Sequence, residues 1–347
     1  MAVAGAGAFG RNHLRVLHEL EAAGAGVKLA AVVEPDAARA AEAAKYGSPV
    51  FSSIEELLAA GEPLDAAIVA VPTVKHHVVA GALLDAGLDV LVEKPLAANL
   101  DQADDLVARA ERGGRILQPG HLERFNPAVL AVEPRLKRPM FFEAHRLSVF
   151  TPRSLDVDVV LDLMIHDLDI VLAVTQSPVR EVRAVGLPIV SPRVDIANVR
   201  VEFDSGCVAN FTASRVSTER VRKLRFFEPR QYVSIDYARQ DLLVIRMDER
   251  APAELSAAAA GGRLDAEMLK KLMAGATGGP APGLSFAKPE VTAGEPLRLE
   301  IESFLESVRT RREPKVTARQ GREALKLALE IQAAMAAHAQ RAGLGEQ

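Results

Sequence analysis

The chain of 347 residues has a single cysteine, a net charge of only −4 and no apolar run of transmembrane length. One thiol, Cys207, excludes an intrachain disulfide and a thiolate metal cluster, and we expect no metal site. Residues 201–211 predict a strand in which Cys207 packs as a small apolar side chain. The small charge disfavours nucleic acid and anionic membranes as partners. Because no cationic leader precedes an apolar segment, the sequence favours a cytoplasmic protein.

A glycine-rich stretch near the start of the chain, residues 3–10, has the spacing of a dinucleotide-binding loop. In the pattern G-x-G-x-x-G the first glycine makes a tight turn, the second admits a pyrophosphate and the third allows close helix–strand packing. Residues 12–23 have helical apolar spacing, so bound phosphates would lie at a helix N-terminus, which favours anions. An Ala- and Gly-rich chain also produces this pattern by chance, but its context favours binding. The predicted cofactor contacts here are Gly5, Gly7, Ala8, Phe9 and Gly10.

An acidic residue follows at the position that contacts the adenosine ribose in dinucleotide-binding folds. Residues 27–33 predict a buried parallel strand that ends at Glu34, whose carboxylate would accept hydrogen bonds from the ribose hydroxyls. No Arg or Ser follows to hold a 2′-phosphate, which Glu34 would repel, so the sequence favours NAD over NADP. The alternative is that Glu34 is a solvated strand end. Only three residues separate Met1 from Gly5, so we expect the natural chain to start further upstream.

The order of the patterns predicts two domains of different class. Residues 1–119 alternate strand and helix patterns, which predicts an α/β Rossmann domain with a parallel sheet. Its predicted strands are 27–33, 64–71, 90–92 and 114–117, and its predicted helices are 12–23, 54–60, 77–86 and 100–112. Residues 120–347 predict an α+β domain with a large, mostly antiparallel sheet. Its predicted strands are 140–149, 181–190, 197–203, 207–214, 224–227, 232–237 and 242–247, with a helix over 159–175.

The last hundred residues contain an irregular stretch and two helical patterns. Residues 251–295 are rich in Ala, Gly and Pro and predict a mobile excursion with a short helical pattern over 266–274. The helical patterns within 296–340 could pack on either domain. A large sheet with one face covered leaves another face to bury, and we assign Val199, Val201 and Phe203 to that face. We therefore expect a homodimer or homotetramer assembled through this sheet.

Two stretches carry groups suited to proton transfer. Glu93-Lys94-Pro95 ends a buried strand at the carboxyl edge of the parallel sheet, where ligands bind in open α/β folds. Lys94 could donate to a reacting hydroxyl and favour an alkoxide, although a lone Lys at a strand end is more often a surface residue. On the helix over 159–175, Asp162 and His166 are four residues apart and share one face. Because that helix is apolar almost all round, the pair is either a buried structural network or a base oriented by a carboxylate.

These stretches belong to a series of five motifs. In chain order they are Gly5-x-Gly7-x-x-Gly10, Val71-Pro72-Thr73 with His76, Glu93-Lys94-Pro95, Gly120-His121-x-x-Arg124-Phe125-Asn126-Pro127 and Asp162-x-x-x-His166. Together they resemble the Gfo/Idh/MocA oxidoreductase family over essentially the whole chain. The resemblance implies a catalytic trio of Lys94, Asp162 and His166. It also implies cofactor contacts by Val71, Pro72, Thr73, His76, Glu93, Lys94 and His121, and substrate contacts by Lys94, Arg124, Asn126, Asp162 and His166.

Within the family, residues 143–167 resemble the UDP-N-acetylglucosamine 3-dehydrogenases, which supply lipid A precursor synthesis. This likeness implies NAD-dependent oxidation of a sugar ring hydroxyl to a ketone, at C3 of UDP-N-acetylglucosamine. His166 would take the hydroxyl proton, Lys94 would hold the oxygen, and Asp162 would orient His166 or the sugar. Arg124, Arg146 and Arg153 suit a diphosphate, but a salt bridge explains each equally well.

Two alternative functions stay open. One is a dehydrogenase for a free polyol or sugar of the inositol or glucose type. The other is an NAD-binding regulator that keeps the fold without turnover. The trio of Lys94, Asp162 and His166 argues against the regulator, because a pure sensor has no need of all three groups together.

Overall fold

The fold is built from two sheets, which a computed structural model describes over residues 1–151, 157–247 and 284–344. The strands of the parallel sheet are β1 (Ala2–Ala4), β2 (Ala31–Val33), β3 (Val50–Phe51), β4 (Ala66–Val69), β5 (Asp89–Glu93) and β6 (Leu117–Gly120). Their order is β3-β2-β1-β4-β5-β6, with every described pair parallel. This is the strand order of a doubly wound dinucleotide fold, so the predicted Rossmann class is confirmed.

Consecutive strand residues point to opposite faces of the parallel sheet, and apolar side chains cover both faces. This is the pattern expected of a sheet that is buried on both sides. The helices around it are α1 (Ala8–Ala22), α2 (Ala37–Ala43), α3 (Ile54–Ala59), α4 (His76–Asp85) and α5 (Leu100–Gly113). Val3 and Ile68 pack with Leu14 of α1, whereas Val69 packs on the opposite face with Leu106 of α5. Side chains of Asp36, Ser53 and Asn99 cap the N-termini of α2, α3 and α5.

The second sheet has eight strands and is mostly antiparallel, which confirms the predicted class of this part of the chain. They are β7 (Phe141–Leu147), β8 (Val179–Leu187), β9 (Ile196–Phe203), β10 (Val208–Ser214), β11 (Val221–Glu228), β12 (Gln231–Asp236), β13 (Asp241–Met247) and β14 (Leu284–Ala287). In the order β14-β13-β12-β11-β7-β10-β9-β8 only the β7–β10 pair is parallel. The helices that follow the parallel sheet are α6 (Pro127–Val132), α7 (Ile165–Thr175), α8 (Pro296–Thr310) and α9 (Ala318–Arg341).

The inner face of the large sheet packs against α7 and α9. Val199, Val201 and Phe203 lie on this face and are at most 1% exposed. The prediction that they face another subunit is therefore wrong, because the two helices already cover their side of the sheet. On the outer face Phe141 and Tyr232 flank Phe227, with ring centroids 5.3 and 5.2 Å away from it. A homodimer or homotetramer stays a prediction, and this outer face is the side of the sheet left for it.

Several element boundaries differ from those expected. β6 begins three residues later than predicted because Gly114, at φ +61°, caps α5 and the chain pairs with β5 only from Leu117. β3 and α2 are short and were not predicted. Within the stretch expected to be irregular, 284–287 form β14 against β13, while 248–283, including the helical pattern over 266–274, lie outside the described residues. A π turn over Val160–Met164 precedes α7.

The two C-terminal helices pack in different places. Leu297, Ile301 and Phe304 of α8 join the core of the parallel sheet beside α1. In α9, Leu325 packs into the parallel-sheet core, whereas Ile331 packs into the core of the large sheet. α9 therefore bridges the two sheets. None of the helices in the described ranges has the length and the hydropathy needed to cross a bilayer.

Two helical glycines allow a matched test of this bridge. A Cβ on Gly321 of α9 would lie 2.8 Å from Pro119 Cβ, whereas a Cβ on Gly81 of α4 would lie 3.4 Å from the flexible end of Arg109. Gly321→Ala should lower the free energy of unfolding by about 1–3 kcal/mol, because the proline cannot move aside. Gly81→Ala should raise it by up to about 1 kcal/mol through helix propensity. Urea unfolding measures both, and equal effects would contradict the bridge.

Candidate active site

The residues predicted to carry the chemistry converge at the carboxyl edge of the parallel sheet. Lys94 follows β5, and its ammonium lies 3.9 Å from a carboxylate oxygen of Asp162 in the π turn. His121 follows β6, and its ring and the Lys94 ammonium both lie close enough to His166 of α7 to influence it electrostatically. Open α/β sheets bind ligands at this edge. The structure therefore brings the proposed trio together in a ligand-binding position.

The glycine loop has the open space and the free donors that a dinucleotide needs. Gly5 has φ +95°, and a Cβ there would lie 2.6 Å from the carbonyl oxygen of Ala70. A Cβ on Gly10 would overlap the Gly5 carbonyl, so both positions require glycine. A Cβ on Gly7 would meet no atom within 4 Å. Because Gly7 begins α1 without a side-chain cap, the first N–H groups of the helix suit a pyrophosphate, and the loop fits NAD.

Glu34 follows β2, and its carboxylate is buried against the glycine loop. One oxygen accepts the Ala6 N–H at 2.7 Å and the other accepts the Asp36 N–H at 3.0 Å. Because Glu34 is only 5% exposed, it is not a solvated strand end. Each carboxylate oxygen keeps a second lone pair to which a ribose hydroxyl could donate. Glu34 therefore shapes the loop and still suits the predicted ribose contact.

The remaining loop residues border the same edge. Ala8 and Phe9 form the exposed first turn of α1. Val71, Pro72 and Thr73 follow β4, with Pro72 exposed. The cofactor contacts of these residues stay a prediction.

His76 has a different role from the predicted cofactor contact. Its ring is buried, with Nδ1 2.9 Å from the Pro95 carbonyl oxygen and Nε2 2.9 Å from that of Val71. Burial lowers the pKa of His76, and a neutral imidazole donates to only one of these oxygens at a time. Because carbonyls face both nitrogens, the side chain has no polar atom left for NAD. His76 instead joins the loops that follow β4 and β5.

The main chain of the π turn holds the Lys94 ammonium in place. Nζ donates to the carbonyl oxygen of Asp162 at 2.6 Å and to that of Leu161 at 3.3 Å. The described residues thus occupy two of its three N–H donors. Burial lowers the pKa of Lys94, while the charges of Asp162 and Glu93 oppose that shift. Lys94 is therefore a fixed cation with one donor available to a ligand oxygen, and not a surface lysine.

His166 is a buried imidazole among cations. It is 8% exposed, and its Nδ1 has no hydrogen-bond partner in the described part of the chain. Burial lowers the pKa of His166 well below its usual value, and the charges of Lys94 and Arg146 act in the same direction. His166 is therefore neutral near pH 7 and able to accept a proton.

Asp162 does not pair with His166. Among the described residues no hydrogen bond joins the two side chains, and the Asp162 carboxylate faces Lys94 instead. The pairing was expected from α-helical spacing, and the π turn over Val160–Met164 changes that spacing. The Asp162 side chain is 25% exposed. It therefore has room to contact a ligand beside Lys94.

Arg146 belongs to a buried ion cluster. Nε and Nη2 donate to the two carboxylate oxygens of Asp167 at 2.8 and 2.9 Å, and Nη1 donates to Glu123 at 2.9 Å. The guanidinium carbon also lies 5.0 Å from the ring centroid of Tyr237. The predicted substrate contact of Arg146 is wrong, because two carboxylates inside the fold already pair its charge.

Two further residues predicted to contact the substrate, Asn126 and Arg124, are buried inside the fold. Asn126 caps α6 through a bond from the Ala128 N–H at 3.1 Å, and its amide donates to the Tyr237 carbonyl at 3.1 Å. Arg124 is buried with Asp169 and Glu133 each 3.7 Å away. The Asn126 prediction is therefore wrong, whereas Arg124, whose Nη1 has no hydrogen-bond partner among the described residues, stays a candidate substrate contact. Arg153 lies outside the described residues.

Several buried polar atoms at this edge have no protein partner among the described residues. They include both ring nitrogens of His121 and the amide of Gln118. Next to them, His13 Nε2 lies 2.6 Å from a Glu93 carboxylate oxygen. Buried polar groups without a partner indicate ordered water or a bound ligand. The cofactor contacts of His121 and Glu93 stay a prediction, for which His121 has both ring nitrogens available.

Two charged residues near the site were not predicted. Glu300 of α8 is completely buried, and Arg222 of β11 is half-buried on the inner face of the large sheet. The sequence pattern around each residue indicates that its side chain is buried. Glu300 lies on the apolar stripe of its helix between Leu297 and Phe304, and Arg222 has the parity of the apolar residue Leu224.

Protein-family models match both parts of the chain. Residues 1–121 match the oxidoreductase family with an NAD-binding Rossmann fold, and residues 129–230 match the GFO/IDH/MocA C-terminal domain. The chain belongs to the GFO/IDH/MocA family. The resemblance carried by the five motifs is thus confirmed, and so are the expected NAD cofactor and dehydrogenase activity.

Members of this family with known names resemble the chain to different extents. The UDP-N-acetylglucosamine 3-dehydrogenase of Acidithiobacillus ferrooxidans is 33% identical over 96% of this chain and 98% of its own length. A solved structure of that enzyme has a TM-score of 0.83 and covers 100% of this chain and 98% of its own. A scyllo-inositol 2-dehydrogenase of Bacillus subtilis is 27% identical over 62% of this chain and 67% of its own.

One further solved structure of the family extends the fold comparison. It is a Bordetella pertussis dehydrogenase in complex with NADH and UDP-GlcNAcA, 16% identical with a TM-score of 0.72 over 96% of this chain and 95% of its own. This identity supports a common fold and no more.

Within the described ranges of this protein, no group of three or more His, Cys, Asp or Glu side chains has an arrangement that could hold a metal ion.

The buried acid of α8 gives a prediction about stability. Burial raises the pKa of Glu300 well above its ordinary value, and the charges of Glu93 and Asp169 add to that shift. The folded protein therefore keeps a proton that the unfolded chain loses above about pH 4.3. Stability then falls as pH rises from there towards the folded pKa, by up to about 1.4 kcal/mol per pH unit.

Glu300→Gln keeps the shape of the neutral carboxyl and removes this proton. The variant should be more stable than the parent at pH 8, with a difference that shrinks towards pH 5. Urea unfolding at several pH values measures the difference. Glu306→Gln, on the exposed side of the same helix, should stay within about 0.5 kcal/mol of the parent. Parallel pH profiles for the parent and Glu300→Gln would show that Glu300 is ionised in the folded protein.

Proposed function

We propose that the protein oxidises C3 of UDP-N-acetylglucosamine, or of a closely related nucleotide sugar, from a hydroxyl to a ketone. The observation that carries the chemistry is the fixed Lys94 ammonium with one available donor beside the neutral, buried His166. The substrate is supported by the end-to-end similarity to a UDP-N-acetylglucosamine 3-dehydrogenase. By that likeness, the product would enter lipid A precursor synthesis in the cytoplasm.

The cofactor would lie along the carboxyl edge of the parallel sheet. Gly5, Gly7 and Gly10 leave space for the pyrophosphate at the N-terminus of α1, and Glu34 suits the adenosine ribose. In this arrangement Val71, Pro72, Thr73, Glu93, Lys94 and His121 border the nicotinamide half. NAD, when bound, supplies a ring that accepts a hydride from the substrate carbon.

The residues of the chain then divide the remaining work. Lys94 donates its third N–H to the sugar hydroxyl and stabilises the oxygen as negative charge develops. His166 accepts the hydroxyl proton, which its lowered pKa permits near pH 7. Asp162 lies close enough to Lys94 to keep that side chain charged, and its partly exposed carboxylate could accept a hydrogen bond from a neighbouring sugar hydroxyl.

A free polyol is the second candidate substrate. Relatives named as inositol dehydrogenases support it, although the scyllo-inositol 2-dehydrogenase of Bacillus subtilis matches only 62% of this chain. Nothing in Lys94, Asp162 or His166 distinguishes a free ring hydroxyl from one on a nucleotide sugar.

Turnover assays with NAD separate these candidates. UDP-N-acetylglucosamine, myo-inositol, scyllo-inositol and glucose are offered at equal concentration, and formation of the reduced cofactor is followed by absorbance. We expect the reduced cofactor to form much faster with UDP-N-acetylglucosamine than with any of the three free compounds. Turnover with inositol alone would assign the protein to the polyol group, and no turnover with any of them would leave the substrate proposal without support.

The proposed base and cation give a prediction about rate. His166→Ala should lower kcat about 10²- to 10⁴-fold, the usual range for a positioned general base. Lys94→Ala should lower it at least as much. In the parent, kcat/KM should fall on the acid side only below about pH 6.5, because the pKa of His166 is lowered. His18→Ala, an exposed residue of α1, is the control. Near-normal turnover of His166→Ala would assign the base to another group.

The carboxylate beside the glycine loop gives a prediction about cofactor choice. Glu34→Gln removes the charge that repels a 2′-phosphate and keeps an acceptor for the Ala6 N–H. The ratio of the Kd for NADP to the Kd for NAD should fall about 10-fold, and calorimetry measures both constants. Glu42→Gln, an exposed acid of α2, should leave the ratio unchanged. An unchanged ratio in Glu34→Gln would place the ribose contact elsewhere.

A further inference from the structure

Arg222 is a cation close to the site with an unusual position. It lies near the start of β11, where its main chain pairs with that of Arg146 on β7. Its side chain has the same parity as Leu224 and Phe226, which are completely buried on the inner face of the large sheet. Its positive charge acts on His166. The guanidinium therefore belongs to the same side of the fold as the proposed base.

The guanidinium of Arg222 has no protein partner among the described residues. Its Nε is buried without a hydrogen bond, and no carboxylate there lies within ion-pair distance. Burial and the neighbouring charge of Arg146 lower the pKa of Arg222. Because taking a charge out of water is costly, buried charges in proteins are normally paired. A half-buried guanidinium without a partner is thus what we expect of a ligand-binding residue.

The nearby acids do not fill this role. Glu123 and Asp167 attract Arg222 without a hydrogen bond or ion pair to it, and their oxygens accept hydrogen bonds from Arg146 and Asn126. Arg220, which is exposed just before β11, adds a second positive charge beside Arg222. The donors of Arg222 are therefore available to an anion that comes from outside the protein.

We propose that Arg222 binds the diphosphate of the substrate and so selects nucleotide sugars over free sugars. This inference rests on the proposed function and adds a specificity-determining residue to it. A guanidinium presents its N–H groups as a planar fork that matches phosphate oxygens, and a diphosphate would satisfy Nε and compensate the charge. A free polyol brings hydroxyls without charge, so it would leave the cation unpaired.

Binding of UDP to the NAD-loaded protein tests this role without relying on turnover. Calorimetry gives the Kd of UDP for the parent and for each variant. Arg222→Gln should weaken UDP binding about 10- to 100-fold, the usual loss when a charged hydrogen-bond partner is removed. Arg222→Lys keeps the charge but not the fork and should lose about 3- to 10-fold. Arg220→Gln removes the same charge from an exposed neighbour and should lose less than about 3-fold.

Steady-state kinetics with UDP-N-acetylglucosamine give a second readout. In Arg222→Gln the KM for the sugar should rise by about the same factor as the Kd of UDP, while kcat at saturation should change less than about 3-fold, because Lys94 and His166 remain. Unchanged NAD affinity and an unchanged thermal midpoint establish that the variant is folded. Arg222→Met replaces Arg222→Gln if the latter does not fold.

The outcomes separate this inference from the proposed function. If the parent oxidises the nucleotide sugar but Arg222→Gln keeps its KM and its UDP affinity, the assignment of Arg222 is overturned and the function stands. If the parent oxidises only a polyol yet binds UDP through Arg222, the substrate proposal fails and the anion site stands. A parent protein that does not bind UDP overturns the assignment of Arg222 directly.

Discussion

The site depends on two hydrogen bonds that cross between the sheets, from the Lys94 ammonium to the carbonyl oxygens of Leu161 and Asp162. Lys94 ends a strand of the parallel sheet, and its acceptors belong to the π turn that leads into α7 beneath the large sheet. The cofactor edge and the catalytic helix are thus joined through the side chain that we propose holds the reacting oxygen. A helix that began with regular α spacing would offer a different set of carbonyls to the ammonium.

Burial sets the protonation of the groups around this contact. It lowers the pKa values of His76, His121 and His166, and it raises that of Glu300. All four side chains are therefore neutral near pH 7, although acids and bases surround them. The fixed charges that remain lie on lysine, arginine and ionised acid side chains. Such a site offers a proton acceptor beside a cation in buried surroundings, where a low dielectric strengthens the interaction of both groups with a ligand.

The sequence predicts the role of a site residue well when its partners are close to it in the chain, and poorly when they are distant. The glycine loop and Lys94 were predictable, because their roles follow from backbone shape and from the end of one strand. Arg146 and Asn126 were not, since their roles depend on Asp167 and Tyr237, which are far away in the chain. For Arg222 the sequence indicated only that its side chain lies on the same face of the strand as Leu224. Its role could be inferred only once the structure showed which face of the sheet the helices cover. The classes of the two sheets could be predicted from the apolar periodicity and from the order of the strand and helix patterns. The element boundaries at glycine caps and at the π turn could not, because they depend on local backbone geometry.

The helix that packs into both cores also limits how the molecule can move. Leu325 and Ile331 of α9 are each fully buried, one in each core, and the Thr317–Gln320 capping box fixes the start of the helix. A swing of one sheet away from the other would expose one of these apolar faces to water. The packing of α9 therefore holds the two sheets at a fixed spacing. We therefore expect exchange of cofactor and substrate to depend on the loops at the carboxyl edge of the parallel sheet more than on hinge motion of whole domains.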